Sequence, residues 1–202
     1  MMRRILWIAA LVLIALWALH EFSTRQVTHS PGELAPDAPL QTDLSQPQPL
    51  LHMKDATLEP LAKFALTARV LSREDYQFDD GAVLSPTDLA LGWGRMSDSA
   101  VLSHIDIHQG VRFYTWSVRE FPIPRREIET NSANMHMIPA NPEVASELKR
   151  VRVGDVVTLD GLLVEADRPG GWRWRSSLTR DDTGPGACEL VYVENLEINT
   201  RP

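Results

Sequence analysis

The chain has 202 residues, enough for one sizeable domain with accessory segments and short for two. Its formal charge is −7, and residues 1–25 set three arginines against Glu21, so the remainder carries −9. Such a surface repels phosphate backbones and excludes nucleic acid as a partner, while the single cysteine, Cys188, excludes a disulfide framework.

The start, MMRRILWIAALVLIALWALHEF, places Arg3 and Arg4 before an uncharged apolar run from Ile5 to Leu19. With His20 to Phe22 at its edge, the run spans about 27 Å as a helix. A cleaved signal peptide has a similar apolar run, but its exit needs small residues. The exit here, Ala18-Leu19-His20-Glu21-Phe22, offers no small pair at the cleavage spacing. Residues 1–22 are therefore expected to be an uncleaved signal anchor, crossing a bacterial inner membrane once through residues 5–22. Positive residues stay in the cytoplasm, which puts the rest of the chain in the periplasm or cell exterior.

Residues 23–56 hold Pro31, Pro36, Pro39, Pro47 and Pro49 and no sustained apolar period. This composition predicts a tether, disordered to semi-extended. The extracytoplasmic domain is expected over 57–202. KFALTARVLSRE, from Lys63, alternates Phe64, Leu66, Ala68 and Val70 against polar positions, a half-buried strand. In SPTDLALGW, Ser85 resembles a helix cap, Pro86 suits a first helical position and Asp88 a capping box, so a short helix is expected. SDSAVLSHI predicts a further helical turn, and HIDIHQGVRFYTWSV returns to strand. NSANMHMIPANP, with its amides and prolines, predicts a corner. NPEVASELKRV, with Asn141 as cap and Pro142 following, predicts a helix of two or three turns. GDVVTLDGLLVEA predicts a strand with a bend at Gly161. Pro169-Gly170-Gly171 then turns into the hairpin partner WRWRSSLT, and ACELVYVENLEI closes the domain. The order predicts a mainly β, β-rich α+β domain: a small curved antiparallel sheet or OB-like barrel with one or two short helices.

Three groups of residues are candidates for chemistry. On a strand, His104, Asp106 and His108 share one face, and two imidazoles with a carboxylate suit a zinc-like ion; an ordinary half-exposed strand has the same alternation. His136 is a candidate base or proton shuttle, its ring oriented by an amide such as Asn134, and Cys188 is the one possible thiol nucleophile. Arg180, or a protonated His136, is the cation that would lower the thiol's pKa, whereas Glu189 beside it opposes thiolate formation. Trp172 and Trp174 share a face, which suits either a ligand platform or hairpin cladding. No cofactor is expected.

The anchor, His136, the KRVRVGDVVTLDG segment and the later Cys188 together resemble part of the sortases, membrane-anchored cysteine transpeptidases built on a closed β-barrel. That resemblance implies His136 as base or acid and Cys188 as nucleophile. The chain departs from it in two places: Thr-Gly-Pro-Gly-Ala precedes Cys188, and Arg180 would have to replace an arginine on the following strand. The soluble region, through DLALGWGRMSD, NSANMHMIPA and WRWRSSLTRDDTGPGACE, is similar to an uncharacterised family of membrane-anchored bacterial envelope proteins, which brings no activity with it. The function expected first is a membrane-tethered binding or assembly module whose partner is another envelope protein or a cell-wall component. A cysteine-dependent transpeptidase or peptidase and a metal-binding domain stand as alternatives.

Overall fold

Residues 25–199 are described by a computed structural model; the apolar run at 5–22 lies outside them. Two short strands, Leu40–Asp43 (β1) and Leu51–Met53 (β2), lead into Ala56–Asp75 (β3), whose 20 residues reach roughly 66 Å along the strand. Leu58, Ala62, Phe64, Leu66, Ala68 and Val70 are buried, while Glu59 and Lys63 between them are exposed. The period-2 pattern thus decides which face meets the core.

The proline-rich segment is docked along the domain. The amide of Val27 donates to Val153 O at 2.8 Å, and the amides of Leu34 and Ala35 donate to Ser97 Oγ at 3.0 and 3.1 Å. β1 pairs antiparallel with Ala62–Ala65 of β3. Gly154, at φ +92°, lets the strap pass, since a Cβ there would lie 2.0 Å from Val27 O. Prolines keep the segment extended, and an extended backbone finds its partners on a neighbouring surface as readily as in water.

Thr87–Gly92 is a strand (β4), where a helix was expected. All six residues are buried, so the run is covered on both faces, as a central strand is and a short surface helix is not. The capping signals serve another end: Ser85 Oγ lies 3.4 Å from Asp88 Oδ1 inside a buried polar cluster. A 3-10 turn at Gly94–Ser97 follows, then Ser99–Leu102 (α1), capped by Asp98 Oδ1 accepting from the Ala100 amide at 2.8 Å.

The stretch expected as one strand is a hairpin, Ile105–Gly110 (β5) and Phe113–Val118 (β6). Its two-residue turn, Val111 and Arg112, has φ of 50° and 66° without glycine or asparagine, which hid it in the sequence. Arg125–Thr130 (α2) leads into Ser132–Pro139 (β7), a central strand where a corner was expected. Pro142–Arg150 (α3) forms as its cap predicts, Asn141 Oδ1 accepting from the Val144 amide at 2.9 Å. Val156–Arg168 (β8), Trp172–Arg175 (β9) and Glu189–Ile198 (β10) complete the set. Gly161 lies where β10 slips register between Val193 and Asn195, its Cα face closed by Tyr192 O.

The domain is mainly β, with one curved sheet and few short helices. The sheet runs β1-β3-β4-β7-β10-β8-β9, with β2 on β3, and β3 also pairs with β8 along Thr57–Arg69. Every pairing is antiparallel except β7 with β10, which is parallel. Phe64, Leu91, Met135, Met137, Leu159 and Val191 fill the main core, closed by Val144, Leu148 and Val151 from α3 and its end. Trp172 and Trp174 clad a second cluster around Leu58, Ile138 and Leu190. Arg173 and Arg175 on their other face pair with Glu165.

Candidate functional site

Antiparallel pairing sets Asp88 of β4 opposite His136 of β7, on the sheet face away from the methionines Met135 and Met137. Asp88 is fully buried, and the His136 side chain is 3% exposed. Asp88 Oδ2 lies 2.9 Å from His136 Nδ1, off the line of a hydrogen bond. Arg112, at the hairpin tip, reaches over this pair. Its Nη1 donates to Asp88 Oδ1 at 2.8 Å and to Ser85 O at 2.9 Å, and its Nη2 donates to Asp79 Oδ1 at 2.7 Å. The guanidinium stacks 3.7 Å from the Tyr76 ring centroid, and Trp174 covers His136 with centroids 4.4 Å apart. The ring of His136 is therefore oriented by Asp88 and sealed by Trp174 and Arg112.

Cys188 lies on the same sheet face, one step off. Leu190 stands opposite His136 in the parallel pair, so Cys188 is a diagonal neighbour at roughly 8 Å between backbones. Asn134 comes between: its Nδ2 donates to Arg112 O at 3.1 Å and lies 3.7 Å from Cys188 Sγ. The thiol itself points at Arg112 O, 3.8 Å away. Burial pushes its pKa up to about 11; the Asn134 contact pulls against this, and the charges of Glu189, Asp88 and Asp182 add to it. Among the described residues no hydrogen bond joins His136 to Cys188. The two are brought to one face, but the thiol is held protonated and the imidazole is spent on Asp88.

Arg180 serves Glu189 rather than Cys188. Glu189 shares parity with Val191 and Val193 and points toward the core, where Arg180 Nη1 lies 2.9 Å from its Oε1. Burial raises the Glu189 carboxyl to about 8, against the pull of Arg180. Its other oxygen, Oε2, is buried without a hydrogen-bond partner among the described residues. His104, Asp106 and His108 lie exposed at the start and on the outer face of β5, with Asp106 and His108 opposite Ser117 and Thr115. Among the described residues no three His, Cys, Asp or Glu side chains are grouped closely enough to hold a metal ion.

Beside Cys188 and Glu189 a cleft of about 770 Å³ opens between β6, α2, the start of β7 and the loop 179–189. Trp93, Phe113, Tyr114, Trp116 and Phe121 give it an aromatic wall. Tyr114 donates or accepts at Ser132 Oγ, 2.8 Å away, and burial pushes its phenol up to about 12. His136 does not line it. The aromatic wall is not legible in the sequence, because Phe113, Tyr114 and Trp116 reach it from a hairpin without a turn signal and Trp93 and Phe121 from separate connections. Asp88 and Glu189 carried a usable signal, since each is an acid set at a core-facing or fully buried strand position.

No family model matches this chain. Nor does any curated protein or solved structure. The functional argument therefore rests on the cleft and the buried cluster beside it.

Proposed function

We propose that this chain is a membrane-tethered, extracytoplasmic binding or assembly module of the bacterial cell envelope, and that its working surface is the cleft between β6 and the loop 179–189. The observation that carries this is the cleft itself: an apolar, aromatic-walled concavity of ligand size. Arg3, Arg4 and the uncharged run after them support a tether. The scaffold is an OB-like barrel in this proposal. Its support is the pairing ring β3-β4-β7-β10-β8 returning to β3, with one parallel step and α3 between β7 and β8. Rigid strands would then hold a cleft walled by β6 and the start of β7 on one side and by the loop before β10 on the other.

The test is a titration of the full-length chain in detergent micelles with soluble peptidoglycan fragments and, separately, with fractionated envelope proteins. Trp93 and Trp116 make the cleft its own fluorescent reporter. A saturable change with at least one fraction is expected, and Ala187→Trp, which fills the cleft from its loop wall, should abolish it. No saturable change with any fraction would sink the proposal.

A further inference from the structure

The cleft has an open backbone edge along one wall. All six residues of β6, Phe113 to Val118, line it, and among the described residues no strand pairs with β6 other than β5. The two-residue turn makes Gly110 and Phe113 the closing hydrogen-bonded pair of the hairpin. Bonded pairs then recur at His108–Thr115 and Asp106–Ser117. Tyr114, Trp116 and Val118 are left with their backbone N–H and C=O groups turned away from β5. No backbone partner meets these groups among the described residues. The facing wall repeats the feature: β10 begins opposite Met135, so Ser132 to Asn134 of β7 line the cleft without a strand on that side.

Two of the three acids on the walls pair with arginines, and the third is held by a serine hydroxyl. Arg125 Nε donates to Glu129 Oε1 at 2.8 Å, Arg180 pairs with Glu189, and Asp182 accepts from Ser177 Oγ at 2.7 Å. Both arginines of the described lining are thus paired, and an anionic ligand finds no free cation among the described residues. A backbone with its own alternating donors and acceptors, and apolar side chains for the aromatic wall, finds both its needs met.

We infer that the cleft takes an extended segment of another polypeptide, which adds as a strand to the open edge of β6. This rests on the binding-module proposal and names its ligand class. The edge is about 20 Å long, which suits a segment of about five or six residues. Apolar side chains at alternate positions would enter between Trp116 and the loop 179–189, and the intervening ones would face solvent. Binding by added strand recognises backbone first, so the segment's alternate amides matter as much as its sequence.

The experiment uses the full-length chain in detergent micelles and a displayed random-peptide library. Selected peptides are resynthesised with a fluorophore and measured by anisotropy. N-methylation of each peptide amide in turn is expected to weaken binding by about tenfold or more at every second position and little at the positions between. Val118→Pro, which removes one outward N–H from β6, is expected to weaken it by a similar factor. N-methyl scanning leaves the protein unaltered, so the inference stays testable if Val118→Pro does not fold. A library that yields no binder blocked by Ala187→Trp, or a scan without alternation, overturns the inference. So does self-association of the chain that Val118→Pro abolishes, because the edge would then belong to a second copy. Saturation by peptidoglycan glycan fragments alone would overturn the inference and leave the binding-module proposal standing; silence toward every probe would remove both.

Discussion

Replacing Arg112 by leucine tests what holds the hairpin over the sheet. Asp88 has no exposed surface, and its two oxygens face Arg112 Nη1 at 2.8 Å and His136 Nδ1 at 2.9 Å. Removing the guanidinium leaves a buried carboxylate with His136 as its one remaining ionisable contact, a loss of about 3–5 kcal/mol. The second ion pair, to the more exposed Asp79, adds at most about 1 kcal/mol, and the stack on Tyr76 a similar amount. Against a total stability of about 5–15 kcal/mol this is a large fraction. Urea unfolding of the full-length chain in micelles, followed by tryptophan emission, gives the number by linear extrapolation. The double variant Asp88→Asn with Arg112→Leu is expected to lose less than the sum of the two single changes, because the uncompensated charge is gone. A single-variant loss of about 1 kcal/mol or less, or strict additivity, would refute the claim that this charge pair pins the hairpin.

Val111→Gly should stabilise the chain by about 1 kcal/mol, read as a higher midpoint in the same urea experiment. The valine is 86% exposed and β-branched at φ 50°, so it forfeits little contact and sheds strain. Cys188 should resist alkylation near pH 7, where a thiol with a pKa of about 11 is ionised in only about one molecule in ten thousand. Its rate should rise steadily up to about pH 11, and a plateau below pH 8 would refute the burial argument. Glu189 has a raised folded-state pKa, so it binds its proton more tightly folded than unfolded. Its contribution is complete below about 4.5 and is lost as pH rises to about 8. Glu189→Gln should flatten that part of the stability–pH curve, and an unchanged slope between those values would count against it.

The parts of the fold legible in the sequence are those where side-chain alternation and turn chemistry agree. β3 buries one parity along Ala56–Ala68 and β8 does so along Val157–Leu163, and Pro169-Gly170-Gly171 makes the turn to Trp172–Arg175 explicit. β4 misled because Ser85, Pro86 and Asp88 have the spacing of a helix cap, while their actual work is in the polar cluster around Arg112. β7 misleads because amides and prolines belong to turns in isolation; here Asn134 and His136 lie in a central strand, the first bonded to Arg112 O and the second set against Asp88, both from elsewhere in the chain. Such partners are nonlocal, and no window of sequence contains them. The site divided in the same way. His136 and Cys188 do come to one face, as adjacent strands allow, but which partners claim them depends on a turn with no sequence signature. Residues 23–56 carry the composition of a disordered to semi-extended tether, and the docking seen from residue 25 onward is not legible in it, because extended chain in water and extended chain on a surface share one composition.

β10, the last of the described strands in chain order, is not an edge. It lies between β7 and β8 and carries Val191, Val193 and Leu196 into the main core. Until it arrives, β7 and β8 each keep an unpaired flank and Met135 and Leu159 lack one side of their packing. A nascent or truncated chain ending before Glu189 is therefore an unfinished domain with sticky seams rather than a smaller one.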